Sequence, residues 1–225
     1  MRATVVVFPG TNCERETAEA LAGAGFDTRL AWHEEAAEGA DLYVLPGGFA
    51  HGDYLRPGAV AARSPALEVV RRAWQGGAHV LGICNGFQIL QEAGLLPGAL
   101  VANVPAGFRS RWVALRPRAA RGAFGRAVGG GRLRWPIAHG AGRFFAPEEV
   151  RRELWRSGRV LATYEGEDPN GSLDRIAGVV DASGRVAGVM PHPERAVDRR
   201  LGGEDGRAFF LRLREALADG GEGDG

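Results

Sequence analysis

The sequence predicts an α/β fold: an open, mainly parallel sheet flanked by helices, with an antiparallel extension in the second half. Three observations predict it. Short apolar runs alternate with helical stretches through the first half, the pattern that builds βαβ units. The apolar runs are unbroken, as in strands covered on both faces. In the second half, strand-like runs follow one another with Gly, Asn and Asp turn residues between them, the signal for antiparallel hairpins.

In chain order, Val5–Phe8 reads as a buried strand, and the turn Pro9-Gly10-Thr11-Asn12 leads into a helix over Glu14–Ala24. Thr28–Ala31 is the next strand, and Leu42–Leu45 the one after, stopped by Pro46-Gly47-Gly48. Leu67, Val69, Val70 and Trp74 mark one face of a helix over Pro65–Gln75. His79–Ile83 is a fully buried strand and is followed by a helix over Gly86–Ala93. Further strands are expected at Trp112–Leu115, Leu133–Ile137, Val160–Tyr164, Ile176–Asp181 and Arg185–Val189, with hairpin turns at Asp168–Gly171 and Asp181–Gly184. A last helix over Asp205–Ala218 lines up Phe209, Phe210, Leu213 and Leu217. Residues 219–225 are only Gly and acid and are expected to be disordered. With no internal repeat and no Pro/Ser linker, residues 1–218 read as a single domain.

Composition narrows the chemistry. Of 225 residues, 28 are basic and 27 acidic, and every basic residue is Arg. The absence of lysine excludes a Walker A phosphate loop and a pyridoxal-phosphate Schiff base. A net charge of +1 argues against a general nucleic-acid binder. No apolar run approaches the roughly 18 residues that cross a bilayer. The early run Thr4–Phe8 is too short for a signal peptide's apolar region, so the chain is expected in the cytoplasm. Cys13 and Cys84 form no C-x-x-C pair, so neither a disulfide framework nor a cysteine zinc site is indicated, and no metal is expected.

The most informative segment is Gly82-Ile83-Cys84-Asn85-Gly86, between a buried strand and a helix. It is the cysteine counterpart of the G-x-S-x-G nucleophile elbow. A nucleophile on so sharp a turn needs small neighbours, supplied by Gly82 and Gly86. At a helix N-terminus the dipole favours thiolate, and the Asn85 N–H points to where an oxyanion would form. A free cysteine is more often a small core residue; the flanking glycines favour the nucleophile. Cys13 lacks such neighbours and reads as structural or incidental.

A cysteine nucleophile needs a base, and five histidines are available. His33 lies in an acidic stretch. His79 opens a strand, away from the end where parallel sheets bind ligands. His51 and His139 lie in Gly-rich loops and stay open. His192 differs, because Pro191-His192-Pro193-Glu194 stiffens the loop and sets a carboxylate two residues away, on the same side of an extended segment. Glu194 can then orient the imidazole that activates Cys84. Gly47 and Gly48, at the end of a strand, let the backbone approach a ligand closely, and the pair suggests a second oxyanion donor.

Gly82–Gln88 together with Pro191–Glu194 resembles the signature pair of class I, triad-type glutamine amidotransferases, whose fold is flavodoxin-like. Phe8–Cys13, Leu45–Phe49, Gly52–Arg56, Pro136–Gly140 and Pro169–Ser172 narrow the resemblance to the glutaminase subunits of phosphoribosylformylglycinamidine synthases, over Val5 to about Arg195. The resemblance implies Cys84 as nucleophile, His192 as base and then acid, Glu194 as its orienter, Gly48 and Asn85 as backbone oxyanion donors, and Gln88 and Gly47 at bound L-glutamine. Departures from the family pattern are His51, Ala141 and Asp168. The resemblance further implies a large ATP- and Mg-dependent synthetase partner and a small bridging subunit, with no cofactor in this chain itself. Docking faces are expected at Gly52–Arg56 and Pro136–Phe144. The alternatives are a glutaminase subunit of another biosynthetic synthetase, a DJ-1/PfpI-like cysteine hydrolase, and a non-catalytic scaffold.

Overall fold

A computed structural model describes residues 1–35 and 38–219. Its elements run β1 (Arg2–Val7), α1 (Glu14–Gly23), β2 (Asp27–Trp32), β3 (Leu42–Leu45), α2 (Pro65–Gln75), β4 (His79–Ile83), α3 (Asn85–Glu92), β5 (Ala99–Val101) and β6 (Arg109–Pro117). They continue with α4 (Gly122–Val128), β7 (Leu133–His139), β8 (Arg143–Phe145), α5 (Glu148–Arg156), β9 (Val160–Glu165), β10 (Ile176–Val180), β11 (Val186–Val189) and α6 (Asp205–Asp219).

Nine strands form one sheet in the order β2-β1-β3-β4-β11-β10-β9-β6-β7. From β2 to β11 neighbours run parallel; from β11 to β7 they run antiparallel. The parallel half has the strand order of a flavodoxin-like sheet, with β11 as its fifth strand. The unbroken apolar runs follow from cover on both faces. Val5, Leu42, Val44, Leu81 and Ile83 pack with Leu21, Phe124, Phe209 and Leu213, from α1, α4 and α6. Their sequence neighbours Val6, Tyr43, Leu45 and Val80 point the other way, toward Leu67, Val70, Phe87 and Leu154, from α2, α3 and α5. This is the two-residue period of a strand, and each fully buried side chain contributes roughly 1.5–3 kcal/mol.

The second half holds two helices the sequence reading did not anticipate. α4 is short and contains Gly122 and Gly125, both poor helix formers. Packing overrides propensity there, since a Cβ on Gly125 would lie 1.8 Å from the Ala120 carbonyl oxygen. α5 buries only Leu154, so its apolar stripe is faint. The turn expected at Asp168–Gly171 is an Asx turn, with the Asp168 carboxylate accepting from the N–H groups of Asn170 and Gly171. It lies in a longer connection, 166–175, between the antiparallel pair β9 and β10. Asp219 closes α6 rather than opening a tail, and residues 220–225, also expected to be disordered, lie outside the described residues. Among the described residues no helix is long and apolar enough to cross a membrane.

Candidate active site

In an open parallel sheet, ligands bind beyond the carboxyl ends of the strands, where the strand order reverses. Here the reversal falls between β1 and β3. Four strands deliver their following segments to this edge: β1 leads to Cys13, β3 to Gly47 and Gly48, β4 to Cys84, and β11 to His192.

Cys84 alone makes the turn between β4 and α3, at φ 52° and ψ −107°. Such a conformation costs a side-chain-bearing residue about 1–3 kcal/mol and persists only where its surroundings enforce it. They do: a Cβ on Gly86 would lie 1.9 Å from the Leu45 carbonyl oxygen, so α3 reaches β3 only through a glycine. The Cys84 thiol faces the Ala138 carbonyl at 3.8 Å. Asn85 opens α3, so its N–H has no intrahelical acceptor. Across the site, Phe49 N–H donates to Gly10 O and Asn12 N–H to Gly47 O, bracketing the Thr11–Gly48 bridge and leaving the Gly48 N–H outside it.

His192 and Glu194 are each 2% exposed, and Nδ1 of the imidazole donates to Glu194 Oε1 at 2.6 Å. That bond fixes the tautomer and leaves Nε2 as the reactive nitrogen. The loop is pinned to β7 by His192 N–H on Pro136 O, 2.8 Å. Burial opposes charge on the imidazole, but Glu194, then Cys84 and Cys13, outweigh it and hold His192 well above its ordinary pKa. Imidazolium beside a thiol favours thiolate. Gly47 is required for close approach, since a Cβ there would meet His192 Cε1 at 2.7 Å.

The structure places the other residues less simply. Gln88 is 6% exposed; its Nε2 donates to Ala141 O at 2.7 Å and its Oε1 accepts from Asn85 Nδ2 at 2.9 Å. Only one N–H and one lone pair remain for a ligand. The Ala141 departure leaves this link intact, because it uses the backbone. Pro136–Phe144, expected as a docking face, is a wall of the site instead: Ile137, His139, Gly142 and Phe144 are buried, and only Gly140 is exposed. His79 lies at the opposite strand end beside Phe124, 6.0 Å between ring centroids.

Asn103, Cys13 and Arg195 contribute to the site although nothing in the sequence assigns any of them a role there. His139, expected in a loop, is the last residue of β7; Asn103 Oδ1 accepts from its Nδ1 at 3.1 Å and from Gly142 N–H at 3.0 Å, and the imidazole is buried and neutral. Cys13, read as incidental, places Sγ 4.0 Å from His192 Nδ1 and accepts from Arg195 Nη2 at 3.1 Å. Cys13, His192 and Glu194 have ligand atoms within 4.8 Å of one another, a donor set suited to a metal ion. The Nδ1 proton on Glu194 and the guanidinium on the sulfur already occupy those atoms, so the set reads as a hydrogen-bonded relay.

His139 gives a pH prediction. Burial first, and the neighbouring His192 next, lower its pKa from 6.5 to about 4. A histidine depressed on folding adds stability above its unfolded pKa and loses it as pH falls to the folded one. Acidification across that window therefore costs about 3 kcal/mol from this residue. A thermal-melting series should show a flatter acid slope for His139→Gln; an unchanged slope would rule the assignment out.

With this geometry in place, similarity can be read. A family model described as the CobB/CobQ-like glutamine amidotransferase domain matches residues 1–201. The chain belongs to this amidotransferase family. Among similar amidotransferases, the phosphoribosylformylglycinamidine synthase subunit PurQ of Rhodospirillum rubrum is 47% identical, over 97% of this chain and 100% of that protein. The protein of the same description from Thermus thermophilus is 49% identical, also over 97% of this chain and 100% of its own length. A solved chain in the structure of PurLQS from Thermotoga maritima superposes with a TM-score of 0.87 at 44% identity, covering 96% of this chain and 98% of that one.

Proposed function

We propose that this chain, with residues 1–218 as one domain, is the glutaminase subunit of a cytoplasmic phosphoribosylformylglycinamidine synthase. One observation carries the reading: Cys84 stands on a strained elbow beside a buried imidazole that Glu194 orients at 2.6 Å and holds ready to be protonated.

The chemistry follows from the positions. Cys84 Sγ, as thiolate, attacks the side-chain amide carbon of glutamine. The resulting oxyanion takes hydrogen bonds from the N–H groups of Gly48 and Asn85. His192 gives its proton to the departing ammonia, leaving a glutamyl thioester. His192 then takes a proton from water, which attacks the thioester and releases glutamate and free thiol. Such donors and a positioned acid–base group each contribute on the order of 10²–10⁴-fold. Ammonia passes to a large partner that uses ATP and Mg to activate the amide of formylglycinamide ribonucleotide, with a small subunit bridging the two. A glutamine-like chloroketone tests the assignment by mass spectrometry: Cys84 should be labelled and Cys13 spared, and the reverse pattern would overturn the reading.

The loop after Gly48 is the docking face. Phe49, Tyr54 and Leu55 are 49%, 75% and 83% exposed. The loop is fastened to the elbow, because Ala50 N–H donates to Asn85 Oδ1 at 2.9 Å and Asn85 Nδ2 donates to Asp53 Oδ1 at 3.1 Å. Engagement of the loop thus bears directly on a residue whose backbone holds the oxyanion. Arg56, by contrast, is committed to a two-pronged pair with Glu92, 2.6 Å at each contact. Leu55→Asp should weaken binding to the synthetase at least ~10-fold by calorimetry; unchanged affinity would count against this face.

A further inference from the structure

Cys13 belongs to a segment the chemistry above does not use, yet it joins three parts of the site. Its N–H donates to Gly47 O at 3.1 Å, next to the oxyanion donor. Its sulfur lies 4.0 Å from His192 Nδ1 and accepts from Arg195 Nη2 at 3.1 Å, while the same guanidinium nitrogen reaches Glu16 Oε2 at 3.4 Å. Arg195 follows Glu194 in sequence, and the Glu194 carboxylate acts on it electrostatically. Glu194 Oε2 is buried and has no hydrogen-bond partner among the described residues. An arginine beside a buried carboxylate with an open oxygen ordinarily binds it, because charge-assisted pairs are the stronger ones. Here its Nη2 donates to the Cys13 sulfur and, at longer range, to the outer carboxylate of Glu16 instead.

We propose that Cys13 is a positioning residue that holds the Arg195 guanidinium off Glu194, reserving that carboxylate for His192. The proposal rests on the reading of Cys84, His192 and Glu194 as the catalytic set. Its consequence is electrostatic. A guanidinium seated on Glu194 would cancel the charge that sustains imidazolium against burial. The groups facing the imidazole are Glu194, Cys84 and Cys13, and from the end of β7 His139 feels the charge of His192 in turn. Arg195 and Glu16 lie behind Cys13. Without imidazolium, the positive charge that His192 presents to Cys84 is lost.

The test follows alkylation of Cys84 by iodoacetamide against pH on the full chain, read from the mass of the Cys84 peptide. In Cys13→Ala the acid limb should move up by about one pH unit. Cys13→Ser, whose hydroxyl still accepts from Arg195, should keep the wild-type limb. The double variant Cys13→Ala with Arg195→Gln, which lacks the competing charge, should return to it. A limb unmoved in Cys13→Ala, or one still displaced in the double variant, would overturn the inference alone. His192→Asn serves as the control: a wild-type limb that survives it would overturn the catalytic pair, and this inference with it.

Discussion

Replacing Cys84 by Ser should abolish glutamine-dependent synthesis by the reconstituted complex and leave ammonia-dependent synthesis unchanged. The substitution keeps the turn and nearly the same volume, so the elbow at φ 52° remains. What changes is ionisation. A serine hydroxyl is far harder to deprotonate than a thiol, and its weak nucleophilicity needs a base matched to it. His192 here is held well above its ordinary pKa by Glu194 against the cost of burial, which suits it to partner a thiolate and makes it a poor acceptor from an alcohol near neutrality. The loss should be at least ~10³-fold in kcat for glutamine, because the members of such a set fail together. Ammonia supplied from solution bypasses the proposed thioester, and the proposed ATP-dependent step belongs to the partner. Initial rates with glutamine and with ammonium salt at the same pH decide the matter. Retained glutamine turnover would remove Cys84 from the mechanism, and a parallel loss of both activities would show damage to the complex rather than to the nucleophile.

The parts of this site legible in sequence are those that chemistry confines to a few consecutive residues. The strand, the glycines and the cysteine of the elbow are contiguous, so β4 ends and α3 begins within a residue of the expected places. Pro191–Glu194 is likewise local: its imidazole and carboxylate lie two residues apart and meet, although across a 3₁₀ turn over Pro193–Arg195 and not along the extended segment expected. Leu42–Leu45 and Pro65–Gln75 match their elements because both are apolar at the right period and end at Pro or Gly. What could not be read is long-range. Cys13 meets His192 only because β1 and β11 both end at the same sheet edge. Asn103, in the connection between β5 and β6, meets His139 at the end of β7, and neither segment carries a pattern that names the other. α5 was findable from Pro147, acidic Glu148 and Glu149 in its first turn and Arg156 in its last, which complement a helix dipole. It was missed because only one of its side chains is buried, and periodicity reports burial rather than capping.

Glu194→Gln is the sharper test of how the dyad works. Glutamine keeps the size of the side chain, and its Oε1 can still accept from Nδ1, so the ring orientation and tautomer survive. The charge does not. His192 is 2% exposed, and burial is the largest influence on its titration, overcome in the native protein chiefly by Glu194. With that carboxylate neutral, the largest influence opposing burial is gone and the imidazole pKa falls from its raised native position. Two effects follow. The kcat for glutamine should fall by about 10²–10⁴-fold with little change in KM, as expected when a charged orienter is neutralised in place. The acid limb of kcat/KM should also move to higher pH, since thiolate loses its imidazolium. Stability carries an independent sign. A histidine whose folded pKa is raised contributes stability fully below its unfolded pKa of 6.5 and loses it as pH rises through the folded value. Wild-type protein should therefore soften toward alkaline pH, and Glu194→Gln should show less of that dependence. A variant that kept both its pH profile and its alkaline melting behaviour would mean that Glu194 acts by shape and not by charge. Glu194→Asp separates the two, because it retains the charge and withdraws the carboxylate from Nδ1 by about one methylene length, roughly 1.5 Å. Charge control requires the aspartate variant to keep an acid limb near wild type despite a lower kcat.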